Sequence, residues 1–263
     1  MYYLKPLFIL LVLGSLLSSC ASLKGAAIAS ASTPFFAVER DTLTLFDRAR
    51  NRKVPVALYE PKQEAAIINQ QVVLVNHGYY YNRPGSYLKY SYLAEKLASK
   101  GYFVVSIQHE LPTDGLIPTT GTPQVVRRPF WDRGADNILF VLHYLKQSRP
   151  SLDFKHVALL GHSNGGDMVA LFPQKYPYQA DKIITLDNRR MALPRTKKNP
   201  RVYSLRSSDL AADEGVLPTF KEQKRLGMTI ISLPHTLHND MDDQATAEQR
   251  REINEYILGF LQR

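Results

Sequence analysis

Residues 161–165 read Gly-His-Ser-Asn-Gly, a serine set between two glycines at the spacing G-x-S-x-G. A serine hydroxyl is a weak nucleophile at neutral pH. It attacks a carbonyl when an imidazole takes its proton and a carboxylate fixes the tautomer of that imidazole. The oxyanion that follows needs backbone N–H donors, which a helix N-terminus beginning at the serine offers. Glycine and serine are common, so five residues alone carry little; the flanks carry the reading. Val157 to Leu160 is a short apolar run with polar borders, as a fully buried strand has. Met168 to Phe172 resume an apolar pattern at helical spacing. Strand, sharp turn with serine at its apex, then helix is the context of a nucleophile elbow. Gly161 and Gly165 leave room for the turn, and Gly166 lets the helix approach the sheet.

The elements that must position this turn are legible on both sides of it. Thr42–Phe46 and Val54–Tyr59 read as a hairpin, and Gln71–Asn76 (QVVLVN) as a central strand followed at once by His77-Gly78-Tyr79-Tyr80-Tyr81. A helix is expected over 87–99, with Leu88, Tyr92, Leu93 and Leu97 on one face and Gly101 as its stop, then a strand over 102–107. Residues 108–131 carry Pro112, Pro118, Pro123 and Pro129 and read as a long irregular segment, with an amphipathic helix over 132–147. Beyond the serine, strands are expected at 182–186, 201–205 and 228–233, with a helix over 217–226. Thr246-Ala247-Glu248-Gln249 is a capping box that opens a final helix reaching about Leu261. Strands alternate with helices from residue 71 onward, which predicts an α/β fold: a mostly parallel central sheet with helices on both faces. In such sheets ligands sit beyond the carboxyl ends of the strands.

The first twenty residues are of another kind. Lys5 precedes an apolar run from Leu7 to Leu17, shorter than a membrane span, and Leu17-Ser18-Ser19-Cys20 follows. Cys20 is the only cysteine among 263 residues. The arrangement resembles a bacterial lipoprotein signal peptide, which implies lipidation at Cys20 and attachment to a membrane of the cell envelope. The small, polar residues after it read as a flexible tether over 21–39, leaving 40–263 as a single domain. With its one cysteine at position 20, the domain has no disulfide framework, no thiolate metal site and no cysteine nucleophile.

The Gly161–Gly165 turn after a strand, His77-Gly78 after an earlier strand, and late Asp and His residues together resemble the α/β-hydrolase fold across essentially the whole of 40–263. His77-Gly78-Tyr79 and Ile107-Gln108-His109-Glu110 are most similar to the dienelactone hydrolase, chlorophyllase and platelet-activating-factor acetylhydrolase group. The family order is serine, acid, histidine. His77, His109, His143, His156 and His162 precede the serine, leaving His235 and His238. The resemblance implies His238 as the base, in the loop before the last helix, with His235 as the alternative. It implies an acid after the penultimate strand: Asp209, with Asp187 and Asp213 as rivals. It implies an oxyanion hole of two backbone N–H groups, from Tyr79 and Asn164.

The net charge is +9, and residues 188–208 hold seven basic residues (Arg189, Arg190, Arg195, Lys197, Lys198, Arg201, Arg206) and no acid. That stretch reads as a solvated loop or as an attraction for an anionic substrate or lipid headgroup; nucleic acid is a poor fit without interleaved aromatics. Tyr79–Tyr81 read either as aromatic packing or as an apolar wall for an acyl group. Trp131 reads as core. His109 and Glu110 lack a third ligand at useful spacing, so no metal and no cofactor are expected. The crossover from Leu186 to Arg201 is short, leaving little for a lipase-type lid, and the 108–131 segment is the alternative cover. The expectation is an exported, lipid-anchored serine hydrolase acting on small-molecule esters through Ser163, His238 and Asp209. The rivals are a non-catalytic envelope lipoprotein on the same fold, and a serine peptidase or amidase.

Overall fold

The computed structural model describes residues 1–3, 35–62 and 67–263. Cys20, the apolar run before it and most of the expected tether lie outside the described residues. The described residues from 35 onward belong to one compact unit.

Eight strands form one sheet: β1 (Ala37–Asp47), β2 (Arg52–Lys62), β3 (Gln71–Asn76), β4 (Phe103–Ile107), β5 (Asp153–His162), β6 (Lys182–Leu186), β7 (Arg201–Arg206) and β8 (Thr229–Ser232). Their spatial order is β1-β2-β4-β3-β5-β6-β7-β8. β1 pairs antiparallel with β2, β2 antiparallel with β4, and every other pairing is parallel. The antiparallel hairpin starts earlier than the sequence suggests. Ala37, Val38 and Glu39 face Lys62, Pro61 and Glu60, so strand pairing takes in residues read as tether.

β3 shows why a continuous apolar run makes a central strand. Val72 to Val75 are all fully buried, and the pleat sends them alternately to two core layers. Val72 and Leu74 join the layer of α3 (Arg128–Ser148) and α4 (Ser163–Lys175). Val73 and Val75 join the layer of α1 (Ser91–Ala98) and α6 (Ala247–Leu261). Each such side chain contributes about 1.5–3 kcal/mol by leaving water. The α6 capping box forms as expected: the Gln249 N–H donates to Thr246 Oγ1 at 3.2 Å, and the Thr246 N–H donates to Gln249 Oε1 at 2.8 Å.

Two helices differ from the sequence reading. α3 begins at Arg128, four residues before the expected start, because Pro129 falls in its first turn, where a missing N–H breaks no bond. Within 108–131 a short α2 (Pro123–Val126) also forms. The helix before β8, α5 (Phe220–Leu226), is closed by Gly227 at φ 67°, a left-handed C-cap.

The strand order reverses at β3. β4 lies on one side of it and β5 on the other, and the helices that follow β3 and β5 pack on opposite faces. The chain therefore parts beyond the carboxyl ends of β3 and β5, which is where an open α/β sheet offers a crevice. His77-Gly78-Tyr79 and Ser163 both emerge there.

Candidate active site

Ser163 is the first residue of α4 and has a φ of 51°, a left-handed conformation rare for a residue with a side chain. The turn is held by near-contacts that only glycine permits. A Cβ on Gly161 would lie 2.3 Å from the Gly165 carbonyl oxygen, and a Cβ on Gly165 would lie 2.3 Å from that of Asn76 at the end of β3. Ser163 is thereby lifted off the sheet beside the free N–H groups of the α4 N-terminus.

His238 meets it from a 3-10 turn, His238–Met241, between β8 and α6. Its Nε2 lies 3.0 Å from Ser163 Oγ. Its Nδ1 lies 2.5 Å from Asp187 Oδ2, and Asp187 is fully buried. A carboxylate only accepts, so the Nδ1–H donates to Asp187 and Nε2 is left to accept from the serine hydroxyl. Burial pushes the Asp187 carboxyl up. The bond from His238, the Arg206 charge and the Ser207 hydroxyl outweigh it and hold the group below its ordinary value. Arg206 Nη2 is 2.7 Å from Asp187 Oδ1, and Ser207 Oγ donates to Oδ2 at 2.9 Å.

The acid expected after β7 is thus corrected. Asp209 does not touch the His238 ring: it is exposed, and its Oδ1 accepts the main-chain N–H of His238 at 2.8 Å. The reason lies in the register of the strands. β6 and β7 run parallel with Leu186 opposite Leu205. Asp187 leaves β6 at a φ of 50°, while the corresponding end of β7 carries Arg206 and Ser207, which donate to Asp187 rather than replace it. Asp209, three residues beyond β7, reaches only the loop backbone. Asp213, the other rival, is exposed and accepts from Gln124 Nε2 at 3.2 Å. His235 is exposed, and its carbonyl accepts from Gln249 Nε2.

His162, the residue before the serine, buttresses the base. Its Nε2–H donates to the His238 carbonyl at 2.9 Å, and its Nδ1, 2.7 Å from Tyr90 Oη, accepts that hydroxyl. Burial, with His238 nearby, pulls the His162 pKa down to about 3, so the ring is neutral as this bonding requires. Tyr90 Oη also accepts the Gly78 N–H at 3.1 Å, tying the loop after β3 to the same support.

The two expected oxyanion donors flank Ser163. Asn164 is the second residue of α4, where an N–H has no intrahelical acceptor. The Tyr79 N–H makes no backbone bond among the described residues. A buried polar cluster, unread in the sequence, stands under both. The Asn164 amide accepts Trp131 Nε1–H at 2.8 Å and donates to Glu110 Oε1 at 3.0 Å. His77 Nδ1–H donates to the Gly78 carbonyl at 2.6 Å, and its Nε2 accepts the His109 N–H at 3.1 Å. Glu110 Oε2 lies 3.8 Å from His77 Nε2. Burial raises the Glu110 pKa to about 7 and lowers that of His77 to about 4. Trp131 is core, as its size suggests, and it also orients Asn164. His109 Nε2–H donates to Asn76 Oδ1 at 2.9 Å, and no cluster suited to a metal occurs among the described residues. Spacing could not have found this group, because Glu110, Trp131 and Asn164 come from three distant stretches.

The cleft over Ser163 has a volume of about 470 Å³, and its walls include Tyr79, Tyr80, Arg189, Leu210 and His238. The three tyrosines divide between the two roles weighed for them. Tyr79 and Tyr80 line the cleft, with Tyr80 Oη donating to Asp242 Oδ2 at 2.6 Å, while Tyr81 is largely exposed. The 108–131 segment packs beside the site rather than over it. The Ile117 N–H donates to Tyr79 Oη at 3.1 Å, and no residue of the segment is among those lining the cleft. A larger groove of about 880 Å³ lies elsewhere, between Phe36, Tyr92 and Arg250, and holds none of the residues around Ser163.

No protein-family model matches the sequence. No curated protein matches it either. Solved structures do match its fold. A ferulic acid esterase from Streptomyces cinnamoneus superposes with a TM-score of 0.63 at 18% identity, over 89% of this chain and 91% of that one. A dienelactone hydrolase-like promiscuous phosphotriesterase, P91, from metagenomic libraries gives 0.61 at 14%, over 86% and 98%. XC6422 from Xanthomonas campestris, described as an α/β serine hydrolase without a lid, gives 0.55 at 15%, over 86% and 97%. The fold is that of the α/β hydrolases, as the elbow and the strand order predict.

Proposed function

We propose that this protein is a serine hydrolase acting on carboxylic esters through an acyl-enzyme. One observation carries the reading: a strained serine lies 3.0 Å from an imidazole whose other nitrogen lies 2.5 Å from a buried carboxylate. Ser163 Oγ attacks the acyl carbonyl while His238 Nε2 takes its proton. Asp187 stays ionised and steadies the imidazolium. The N–H groups of Tyr79 and Asn164 receive the oxyanion. The imidazolium then protonates the leaving alcohol, and water, deprotonated by the same His238, releases the acid. The names of the structural neighbours, a ferulic acid esterase among them, support esters ahead of amides.

We further propose export and lipid attachment at Cys20, supported by the apolar run Leu7–Leu17 and the Leu17-Ser18-Ser19-Cys20 sequence that follows it. The test combines both parts. Full-length protein is expected to cleave 4-nitrophenyl acyl esters, to be labelled at Ser163 by a fluorophosphonate, and to lose both properties as Ser163→Ala. Cys20→Ser is expected to move that activity from the membrane to the soluble fraction. An unlabelled, inactive wild type that is folded would instead favour a non-catalytic role. Cleavage of amide but not ester substrates would favour a peptidase or amidase.

A further inference from the structure

Three arginines, one of them in the wall of the cleft, carry side chains with no ion-pair partner among the described residues. Arg189 is part of the wall that also holds Ser163 and His238. Arg190 is its neighbour in the chain, and Arg127 joins α2 to α3. Gln124 of α2 brings the two stretches together, donating through Nε2 to the Arg190 carbonyl at 3.3 Å. Burial depresses the Arg127 pKa, and the charges of Arg190 and Arg189 add to that while Asp167 opposes them. None of the three side chains forms an ion pair or hydrogen bond among the described residues, and the Nε atoms of Arg189 and Arg190 are buried without a partner.

The nearby carboxylates accept from other donors and form no ion pair with these guanidiniums. Asp167 Oδ1 accepts the main-chain N–H groups of Arg190 and Met191. Asp213 accepts from Gln124. Asp242, also in the cleft wall, accepts the Tyr80 hydroxyl on one oxygen and the Gln244 N–H on the other. Holding like charges near one another with only Asp167 to oppose them costs stability, and partly buried, unpaired guanidinium nitrogens cost more. A ligand with anionic oxygens would relieve both, since the guanidinium fork matches carboxylate and phosphate geometry.

The geometry points to Arg189, with Arg190 next to it in the chain and Arg127 on the adjoining α2–α3 corner, as a subsite for a carboxylate or phosphate carried by the substrate whose ester Ser163 attacks. This inference rests on the hydrolase reading above and names its substrate class. It also narrows the basic stretch noted in the sequence: of its seven cations, only Arg189 lines the cleft, while Lys197 and Lys198 are exposed.

Three substrate pairs, each an anionic ester with a neutral counterpart, test it. The 4-nitrophenyl esters of the suberic half-acid and of octanoic acid place the charge on the acyl side. 4-Acetoxybenzoate and its methyl ester place a carboxylate on the alcohol side. 4-Acetoxyphenyl phosphate and 4-methoxyphenyl acetate place a phosphate there. The full chain is expected to favour the anionic member of at least one pair by about tenfold or more in kcat/KM, the scale of a hydrogen bond to a charged group. In Arg189→Gln that ratio is expected to fall by about tenfold, with Arg189→Lys between the two and Lys198→Gln leaving the ratio unmoved. Fluorophosphonate labelling of Arg189→Gln verifies its fold. A wild type indifferent to charge in all three pairs, or a ratio that survives Arg189→Gln, overturns the subsite. Failure of the hydrolase reading is distinct: no ester of either kind turns over and Ser163 is not labelled. In that event, calorimetry of Ser163→Ala with monomethyl suberate and dimethyl suberate decides the subsite alone, and equal binding of the two overturns it.

Discussion

Asp187→Asn separates the carboxylate that orients the base from the one that merely anchors its loop. The substitution is nearly isosteric, so its effect depends on which way the new amide faces. Arg206 Nη2 sits 2.7 Å from Oδ1, and the Ser207 N–H approaches the same oxygen at 3.2 Å. Both are donors, so they select the amide oxygen at that position and turn the NH2 toward His238. An NH2 group 2.5 Å from Nδ1 donates to it and drives the ring proton to Nε2, facing Ser163 Oγ. A protonated Nε2 cannot take the serine proton. The expected loss in kcat is about 10⁴-fold, which is about 5.4 kcal/mol of transition-state stabilisation at 1.36 kcal/mol per decade. Asp209→Asn keeps an amide oxygen able to accept the His238 N–H, so its loss is expected to be about fivefold, or about 1 kcal/mol. Both variants are assayed with 4-nitrophenyl butyrate under saturating conditions. Thermal melts accompany them, because Asp187→Asn also leaves the buried Arg206 charge without its partner, at about 3–5 kcal/mol of stability. Equal losses at the two positions in folded protein, or a loss at Asp187 within tenfold, would refute the assignment of the acid.

Two further outcomes follow from the packing under the turn. Gly165→Ala would press a Cβ to 2.3 Å from the Asn76 carbonyl oxygen, which belongs to the central strand and cannot move aside. The melting temperature is expected to fall by about 6–12 °C, from about 3 kcal/mol of overpacking. Gly259→Ala on α6, where an added Cβ meets nothing within 4 Å, is expected to be neutral or slightly stabilising; similar melts for the two would contradict the geometry. Glu110, raised by burial to about 7 from an ordinary value of 4.5, is protonated in the fold and ionised in the unfolded chain between those limits. The unfolded state then binds fewer protons, so this group's contribution to stability falls as pH rises from about 4.5 to 7, by about 3 kcal/mol in all. His77, lowered to about 4, and His162, lowered to about 3, act oppositely: their contributions are lost as pH falls below about 6.5. Removing the Glu110 contribution as Glu110→Gln is expected to steepen the rise in urea-unfolding free energy between pH 4.5 and 7 by that amount. Parallel pH profiles for wild type and variant would show that Glu110 does not titrate in this way.

The elements that follow from local pattern were legible in the chain itself. The β-branched run Gln71–Asn76 is β3 to the residue, because a strand buried on both faces needs no partner to announce it. Thr246 and Gln249 mark the start of α6 because a capping box is closed within four residues. The serine turn was readable for the same reason: three glycines and a serine, close in sequence, meet one steric demand. The order of serine before histidine brought His238 into view, since the fold leaves a single loop for the base between the last strand and the last helix.

What the chain alone left open were relations between strands. Asp187 and Asp209 each follow a strand in a parallel sheet, and no local feature distinguishes them. The choice is made by the register of β6 against β7 and by Arg206, whose charge is held against Asp187. The support under Asn164 is likewise assembled from Glu110, Trp131 and His77, each ordinary in its own stretch. The clustering of Arg127 with Arg189 and Arg190 depends on where α2 comes to rest. Short-range sterics and hydrogen bonding determine the turn that raises the serine; the carboxylate facing the base, and the charge facing the cleft, are set by contacts between residues far apart in the chain, which exist only once the sheet has closed.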